Sequence, residues 1–236
     1  MGNSFFQFKQ FIVHQSNAAL KVCTESCIFG ATVPVEDAKH ILDIGTGTGL
    51  LALMLAQRSN ATIEAIELDN PSCEDAKKNF TESNWKNRIT LHEGDIKTFD
   101  TDVQFDLIIS NPPFFIQQLK SNNTRTNAAL HGSELQPDDL YTLVNRLSTE
   151  DGKFYVLLPE KEMQRLAEQM EISGWRKIYL LNIYQEKSKT IFRTVGGFSK
   201  NDKTTNFIHK NLVIYNEDRS YTPDFIALLK AYYLYL

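Results

Sequence analysis

The sequence has few cysteines, no long apolar run and no excess of basic residues. Its 236 residues include three cysteines, Cys23, Cys27 and Cys73, too few for a disulfide scaffold in a chain of this length. Cys23 and Cys27 have no cysteine or histidine partners at zinc-binding spacing, so we expect no metal site. No apolar run approaches the ~20 residues that span a membrane, and the N-terminus lacks the pattern of a secretory signal. These absences predict a cytoplasmic protein that does not enter a membrane.

Charge is balanced overall but uneven along the chain. The formal net charge is −4, and nucleic-acid-binding proteins usually carry a basic excess. Residues 1–117 contain nine basic and fifteen acidic side chains, whereas residues 176–210 contain eight basic and two acidic ones. The segment 176–210 is therefore a candidate surface for a polyanionic partner, although a solvated basic edge would give the same pattern.

Short apolar runs alternate with amphipathic stretches from about Ile41 onward. This alternation predicts an α/β fold with a parallel sheet, in a single domain that spans residues 1–236. Pro71 and Pro137 occupy positions typical of a first helical turn, and Gly174 is typical of a helix end. Three strand-like runs follow Gly174 with little helix between them, which predicts an antiparallel C-terminal edge. Residues 1–40 resemble an extension packed on this core.

A glycine-rich loop with the sequence DIGTGTG occupies residues 43–49, after a predicted strand and before a predicted helix. The dinucleotide-binding pattern G-x-G-x-x-G would need glycine where Leu50 stands. A pyrophosphate favours bare amides at a helix N-terminus, whereas a cofactor with a charged amine and no phosphate suits a carboxylate. S-adenosylmethionine is such a cofactor. The predicted ligands in this loop are Asp43, Gly45, Thr46, Gly47 and Gly49.

Two more carboxylates follow the next two predicted strands. Glu67 ends the second strand and can accept hydrogen bonds from both ribose hydroxyls of the cofactor. Asp95 follows the third strand, where it can accept a hydrogen bond from the adenine amino group. Ligands bind at the carboxyl ends of strands in open α/β sheets, so we expect these side chains to share one site with Leu68 and Ile96.

The fourth predicted strand ends in the loop Asn111-Pro112-Pro113-Phe114. An exocyclic adenine amine is a poor nucleophile because its lone pair is delocalised into the ring. The Asn111 side-chain carbonyl and the Pro112 backbone carbonyl can accept its two N–H bonds and aim the nitrogen at a methyl group. Pro113 stiffens the loop, and Phe114 can stack on the base. These residues predict methylation of a planar amino nitrogen, with Asn111 contacting the cofactor as well.

The two loops together resemble class I S-adenosylmethionine-dependent methyltransferases that act on amino groups. The N-terminal segment FQFKQFIVHQSNAALKVCTESCIFGATV is similar to the opening of the tRNA1(Val) adenine-37 N6-methyltransferase family, and the resemblance continues to the closing SYTPDFIALLKAYYLYL. It implies a Rossmann-like, mostly parallel seven-stranded sheet with helices on both faces. It also implies that residues 1–40 pack over the cofactor, with Lys21 and Thr24 as cofactor ligands. Glu25 stands where the family motif has aspartate.

The resemblance implies methyl transfer to N6 of adenine-37 in tRNA1(Val), by a monomer that binds tRNA. The same N-P-P-[FY] loop also serves protein glutamine-amide methyltransferases and some rRNA guanine-N2 methyltransferases, so both stay as alternatives. Segment 176–210 becomes the candidate RNA surface. Arg125 and His131, in the polar loop from Gln117 to Gln136, are candidate phosphate or pocket residues.

Overall fold

The computed structural model describes residues 3–112, 137–201 and 206–236. Its strands have the following bounds: β1 Phe5–Gln7, β2 Ile12–His14, β3 His40–Ile44, β4 Thr62–Glu67, β5 Ile89–Glu93, β6 Phe105–Ser110, β7 Ser148–Leu158, β8 Arg176–Glu186, β9 Arg193–Ser199 and β10 Ile208–Tyr215. Its α-helices are α1 Thr24–Thr32, α2 Leu50–Arg58, α3 Asn70–Glu82, α4 Pro137–Leu147, α5 Glu160–Ile172 and α6 Pro223–Leu229. A 3₁₀ turn covers Ile96–Thr98. The predicted alternation of strands and helices is confirmed.

The central sheet has eight strands in the order β10-β8-β9-β7-β6-β3-β4-β5. The family resemblance implied seven strands, so the sheet has one strand more than expected, although all three strand-like runs after Gly174 were recognised in the sequence. Antiparallel pairing is confined to β9, which pairs with β7 and β8, whereas β10 pairs in parallel with β8. Because β9 ends where β8 begins, at the pair Ser199 and Arg176, the chain returns to start β10 at that same edge. The antiparallel pairing predicted for the C-terminal edge is therefore found only at β9, and the prediction is wrong for the edge strand β10, which is parallel to β8.

Helices cover both faces of the sheet, as predicted. Alternate residues of β3 show the two sides: Ile41 belongs to the core cluster that contains residues of α1, α2, α3 and α6, whereas Leu42 belongs to the cluster that contains residues of α4 and α5. β7 repeats the pattern, with Leu157 on the first side and Val156 on the second. Strands buried on both faces explain the continuous apolar runs of the sequence.

Local chemistry explains where several helices begin and end. The Asp69 carboxylate caps α3 by accepting from the Ser72 amide at 3.0 Å, and Pro71 lies in the first turn. Thr222 caps α6 in the same way. Gly174, with φ of 86°, follows the end of α5, as its sequence position predicts.

The N-terminal segment folds against the core through α3. β1 and β2 form an antiparallel hairpin. The Asp75 carboxylate accepts hydrogen bonds from the backbone amides of Asn17 and Ala18, both at 2.8 Å. The Asn79 side chain accepts from the His14 amide at 2.7 Å and donates to the His14 carbonyl at 2.9 Å. The segment is therefore fixed by buried polar side chains rather than by apolar packing alone.

Candidate active site

Four adjacent parallel strands, β6, β3, β4 and β5, end at one edge of the sheet. Hydrogen bonds join these ends to one another. The Ser110 hydroxyl donates to the Ile44 carbonyl at 2.8 Å, and the Gly45 amide donates to the Ile66 carbonyl at 2.9 Å. The Gly94 amide donates to the Glu67 carbonyl at 2.8 Å. The loops that follow all four strands, which carry most of the predicted site, are thus brought together.

The glycine loop follows β3 and leads into α2. Gly45, Gly47 and Gly49 have φ values of 70°, 57° and 81°, in the left-handed region that side chains disfavour. A Cβ added at Gly45 or Gly47 would meet no atom within 4 Å, whereas one at Gly49 would lie 2.3 Å from Phe80 Cε1. The first two glycines therefore leave bare backbone facing open space, and the third allows α2 to pack closely on α3.

Glu67, at the end of β4, holds the glycine loop. One carboxylate oxygen accepts from the Gly47 amide at 2.7 Å, and the other accepts from the amides of Leu68 and Asp69, both at 2.9 Å. Burial raises the pKa of Glu67, and the three amide donors oppose that rise. A carboxylate offers about four lone-pair positions. Three amides leave capacity for a further donor such as a ribose hydroxyl.

Asp43 is fully buried beneath the same loop. Its Oδ2 accepts a hydrogen bond from the Thr46 hydroxyl at 2.6 Å. Its Oδ1 is buried with no hydrogen-bond partner among the described residues. Burial raises the pKa of Asp43 to about 7, which the Thr46 hydroxyl opposes and the Glu67 charge reinforces. A carboxylate in this state would be stabilised by a nearby cation.

The loop after β5 supplies the remaining residues predicted from the third strand. Asp95 is half-buried, and its Oδ1 caps the 3₁₀ turn by accepting from the Lys97 amide at 2.9 Å. Ile96 is buried in the core on the α4 and α5 side of the sheet. Leu68 lies after β4 with 45% of its surface exposed. Asp95 and Leu68 are therefore accessible to a ligand at this edge, whereas the buried side chain of Ile96 anchors the 3₁₀ turn in the core.

Asn111 follows β6 directly and contacts the start of α1. Its side-chain nitrogen donates to the Ser26 hydroxyl oxygen at 2.8 Å. Ser26 Oγ in turn lies 2.9 Å from Cys23 Sγ, and Ser26 is buried. Pro112 is buried, and Pro113 and Phe114 lie outside the described residues, as do Arg125 and His131. The contact brings residues 26 and 111 together although they are far apart in the sequence.

The N-terminal segment reaches the glycine loop through Asn79. The Asn79 side chain donates to the Thr48 carbonyl at 2.9 Å, in addition to its bonds with His14. Lys21 is exposed, and its ammonium donates to the Gln15 carbonyl. Thr24 is half-buried at the start of α1. Sequence reasoning missed Ser26 and Asn79, because nothing in their local pattern distinguishes them from ordinary helical residues.

Comparisons with known proteins identify the family. Residues 18–138 match the model of the methyltransferase small domain. The chain is 43% identical to a tRNA1(Val) (adenine(37)-N6)-methyltransferase of Cytophaga hutchinsonii, over 100% of both chains. The protein belongs to this methyltransferase family.

Solved structures share the fold of this family member. A protein of Agrobacterium tumefaciens described as a predicted O-methyltransferase superposes with a TM-score of 0.69 at 15% identity, covering 87% of this chain and 95% of that one. A glycopeptide N-methyltransferase complexed with S-adenosylmethionine gives a TM-score of 0.55 at 15% identity, covering 79% of this chain and 98% of that one. The Rossmann-like class I fold predicted from the sequence is confirmed.

The residues of the tRNA methyltransferase family member at this edge fit S-adenosylmethionine. The buried Asp43 Oδ1 without a partner suits the positive charge of the cofactor. The open space above Gly45 and Gly47 admits a ligand close to the backbone. Asp95 and the exposed Leu68 offer a polar and an apolar contact beside Glu67.

Among the helices described for this methyltransferase, none is long and apolar enough to cross a membrane. Within residues 3–112, 137–201 and 206–236, no group of three or more histidine, cysteine, aspartate or glutamate side chains is arranged to hold a metal ion.

Proposed function

We propose that this protein transfers a methyl group from S-adenosylmethionine to N6 of adenine-37 in tRNA1(Val). The observation that carries the proposal is the position of Asn111. It follows β6 at the sheet edge that also carries the glycine loop and Glu67, and its side-chain amide donates a hydrogen bond to Ser26. An amide carbonyl at that place can hold a planar amine against a methyl donor. The choice of tRNA1(Val) and of adenine-37 as the substrate rests on the names of the relatives.

Asn111 and Pro112 would act as an acceptor clamp on the adenine amine. The Asn111 side-chain carbonyl and the Pro112 backbone carbonyl accept one N–H bond each, which fixes the nitrogen and favours a lone pair directed out of the ring plane. Preorganised dipoles of this kind contribute about 10²–10³-fold in rate. Pro113 keeps the loop rigid, and Phe114 stacks on the target base. To reach this position, the base must unstack from the neighbouring nucleotides of the tRNA.

The chemistry needs no general base at the outset. When bound, S-adenosylmethionine supplies an electrophilic methyl group on a positively charged sulfur. Asn111 and Pro112 would hold the amine nitrogen in line with that methyl group, and S-adenosylhomocysteine would be the co-product. The amine nitrogen becomes acidic only after transfer, so the clamp can pass its proton to water. The work of the protein is alignment and electrostatics.

The cofactor is held by the loops at the carboxyl ends of β3, β4 and β5. Glu67 accepts from the ribose hydroxyls, Asp95 accepts from the adenine amine, and Asp43 compensates the positive charge directly or through water. The N-terminal extension, residues 1–40, closes the site and makes a single domain with the rest of the chain. The full set of proposed cofactor ligands is Lys21, Thr24, Asp43, Gly45, Thr46, Gly47, Gly49, Glu67, Leu68, Asp95, Ile96 and Asn111.

The proposed enzyme works in the cytoplasm, as a monomer and without a metal ion. Light scattering of the purified protein tests the oligomeric state. A monomer should give a mass near 27.0 kDa. Full activity after treatment with EDTA tests the metal-free mechanism. A dimer, or activity that EDTA abolishes and magnesium restores, would overturn the respective statement.

Incubation with radiolabelled S-adenosylmethionine tests the function. We expect label in bulk tRNA and, after digestion to nucleosides, mass spectrometry that identifies N6-methyladenosine. Parallel incubations contain ribosomal RNA and a protein extract. Label in protein alone would favour a glutamine-amide methyltransferase, and label in ribosomal guanine would favour an rRNA enzyme. Either result would overturn the tRNA assignment.

A further inference from the structure

Sheet topology divides the basic segment 176–210 into two parts. β8 and the catalytic strand β6 run in the same direction, and β9 runs in the opposite direction. The connection between β8 and β9, residues 187–192, therefore lies at the edge where β6 ends, on the side of Asn111. The pair formed by Arg176 and Ser199 lies at the opposite edge. Only part of the basic charge can face a substrate at the active site.

The basic side chains on the active-site side are Lys187, Lys189 and Arg193. Lys187 and Lys189 are exposed in the connection, and Arg193 begins β9 opposite Ile183. Two strand spacings, about 10 Å, separate β9 from β6 in the sheet order β9-β7-β6. A strand of RNA with a base at Asn111 would pass within reach of these side chains.

The backbone of this connection is held in a defined shape. The Lys189 amide donates to the Glu186 carbonyl at 3.0 Å, and the Phe192 amide donates to the Ile183 carbonyl at 2.8 Å. The Arg193 guanidinium lies 4.7 Å from the centre of the Phe192 ring and donates to the Phe192 carbonyl. The connection therefore has a fixed backbone and an arginine positioned by Phe192, and the exposed side chains of Lys187 and Lys189 extend from it.

Among the described residues, carboxylates lie on both sides of this surface. Glu186 pairs with Arg219 at 3.3 Å, which neutralises the one carboxylate next to the lysines. Glu217 and Asp218 follow β10, the outermost strand, and Asp218 accepts from the Ser220 amide at 2.9 Å. Glu160 and Glu162 begin α5 directly after β7, at the same edge and nearer to Asn111. The basic connection therefore lies between these two carboxylates and the acidic turn after β10.

We propose that Lys187, Lys189 and Arg193 form the surface that binds the phosphate backbone of the tRNA next to the methylated base. This proposal rests on the proposed function. Lysine and arginine side chains bind phosphates without reading the sequence, and each contact adds to the salt dependence of binding. Lys200 and Lys210, in the same basic segment but away from the connection, contribute little to affinity.

Charge reversal tests the proposal. The full-length double variant Lys187→Glu/Lys189→Glu is compared with the matched double variant Lys200→Glu/Lys210→Glu, since both change the net charge equally. Fluorescence anisotropy measures the Kd for unmodified tRNA at several KCl concentrations. We expect at least 10-fold weaker binding for the first variant and a slope of log Kd against log salt reduced by about 1.5 to 2. The control should stay within about 3-fold of wild type.

Two further measurements make each outcome interpretable. Thermal unfolding checks that both variants fold, and calorimetry with S-adenosylmethionine should give the wild-type affinity for both. Equal weakening by the two variants, or an unchanged slope for the first, would overturn the assignment to this surface. A wild-type protein that neither binds nor methylates tRNA would instead overturn the proposed function.

Discussion

The side-chain nitrogen of Asn111 donates a hydrogen bond to Ser26 Oγ at 2.8 Å, joining the loop after β6 to the first turn of α1. The bond directs the nitrogen of the Asn111 amide toward α1. The carbonyl oxygen of that amide therefore points away from Ser26, as an acceptor clamp for an incoming amine requires. Ser26 is a positioning residue, because it acts through Asn111.

Removal of the Ser26 hydroxyl should slow methyl transfer without weakening cofactor binding. A neutral hydrogen bond contributes about 0.5–1.5 kcal/mol, so Ser26→Ala should lower kcat by about 2- to 10-fold. Ser26→Thr keeps the hydroxyl and should recover much of the loss. Single-turnover kinetics measures the rate, and calorimetry measures the affinity for S-adenosylmethionine. A wild-type rate for Ser26→Ala would show that the contact does not orient Asn111.

Loss of the Glu67 carboxylate should weaken cofactor binding strongly. Glu67→Ala removes both the predicted ribose contact and the acceptor that holds the Gly47 amide. Hydrogen bonds to a charged acceptor contribute about 1.5–3 kcal/mol, so we expect a Kd raised at least 10-fold in calorimetry. Glu64→Ala removes a carboxylate from within the same strand, away from the edge, and should leave the Kd unchanged. Equal affinities for Glu67→Ala and wild type would exclude the ribose assignment.

The raised pKa of Asp43 predicts opposite pH dependences for binding and stability. The ionised carboxylate favours a cationic ligand, so the affinity for S-adenosylmethionine should fall as pH drops from 7.5 to 6, around the pKa of about 7. Without ligand, the folded protein holds this proton more tightly than the unfolded chain, so the contribution of Asp43 to stability falls as pH rises from about 4 to 7.

Asp43→Asn tests both effects, since an amide oxygen can still accept the hydrogen bond from Thr46. We expect weaker cofactor binding at pH 7.5 with a flatter pH dependence. Without ligand, the Tm of the variant minus the Tm of wild type should increase between pH 5.5 and pH 7.5. A variant whose two pH profiles match those of wild type would contradict the account of Asp43.

Two glycines with similar backbone angles should respond differently to alanine. Gly49 has φ of 81° with Phe80 beside the missing side chain, whereas Gly174 has φ of 86° and open space around it. A left-handed alanine costs about 1–2 kcal/mol, and overpacking adds about 1–3 kcal/mol. Gly49→Ala should therefore lose more free energy of unfolding in urea than Gly174→Ala. Equal losses would show that α2 and α3 adjust to the methyl group.

The fold, and the shared edge at which the candidate site residues lie, could be predicted from the sequence because both depend on local patterns. The run LLALMLAQR is helix α2, from Leu50 to Arg58, and α4 begins at Pro137 as expected. Parallel strands place their carboxyl ends at one edge, so the separate positions of Asp43, Glu67, Asp95 and Asn111 indicated a shared site.

Features that depend on tertiary docking were not predictable in the same way. Ser26 contacts Asn111 only because α1 packs at the end of β6. The hydrophobic periodicity of the sequence predicts helices and strands but not which residues of two such elements meet. Glu67 was predicted to bind the ribose, and nothing in the sequence indicated that it also accepts a hydrogen bond from the Gly47 amide, twenty residues earlier. The parallel placement of β10 depends on β9 returning the chain to the edge where β8 begins.

The measurement that tests the account most directly is single-turnover methylation of unmodified tRNA1(Val) by wild type and Asn111→Ala, with the product position mapped by mass spectrometry. The account predicts N6-methyladenosine at position 37 with wild type. For Asn111→Ala it predicts a rate at least 100-fold lower and an affinity for S-adenosylmethionine within a few-fold of wild type. Near-normal N6-methylation by Asn111→Ala would contradict the acceptor clamp.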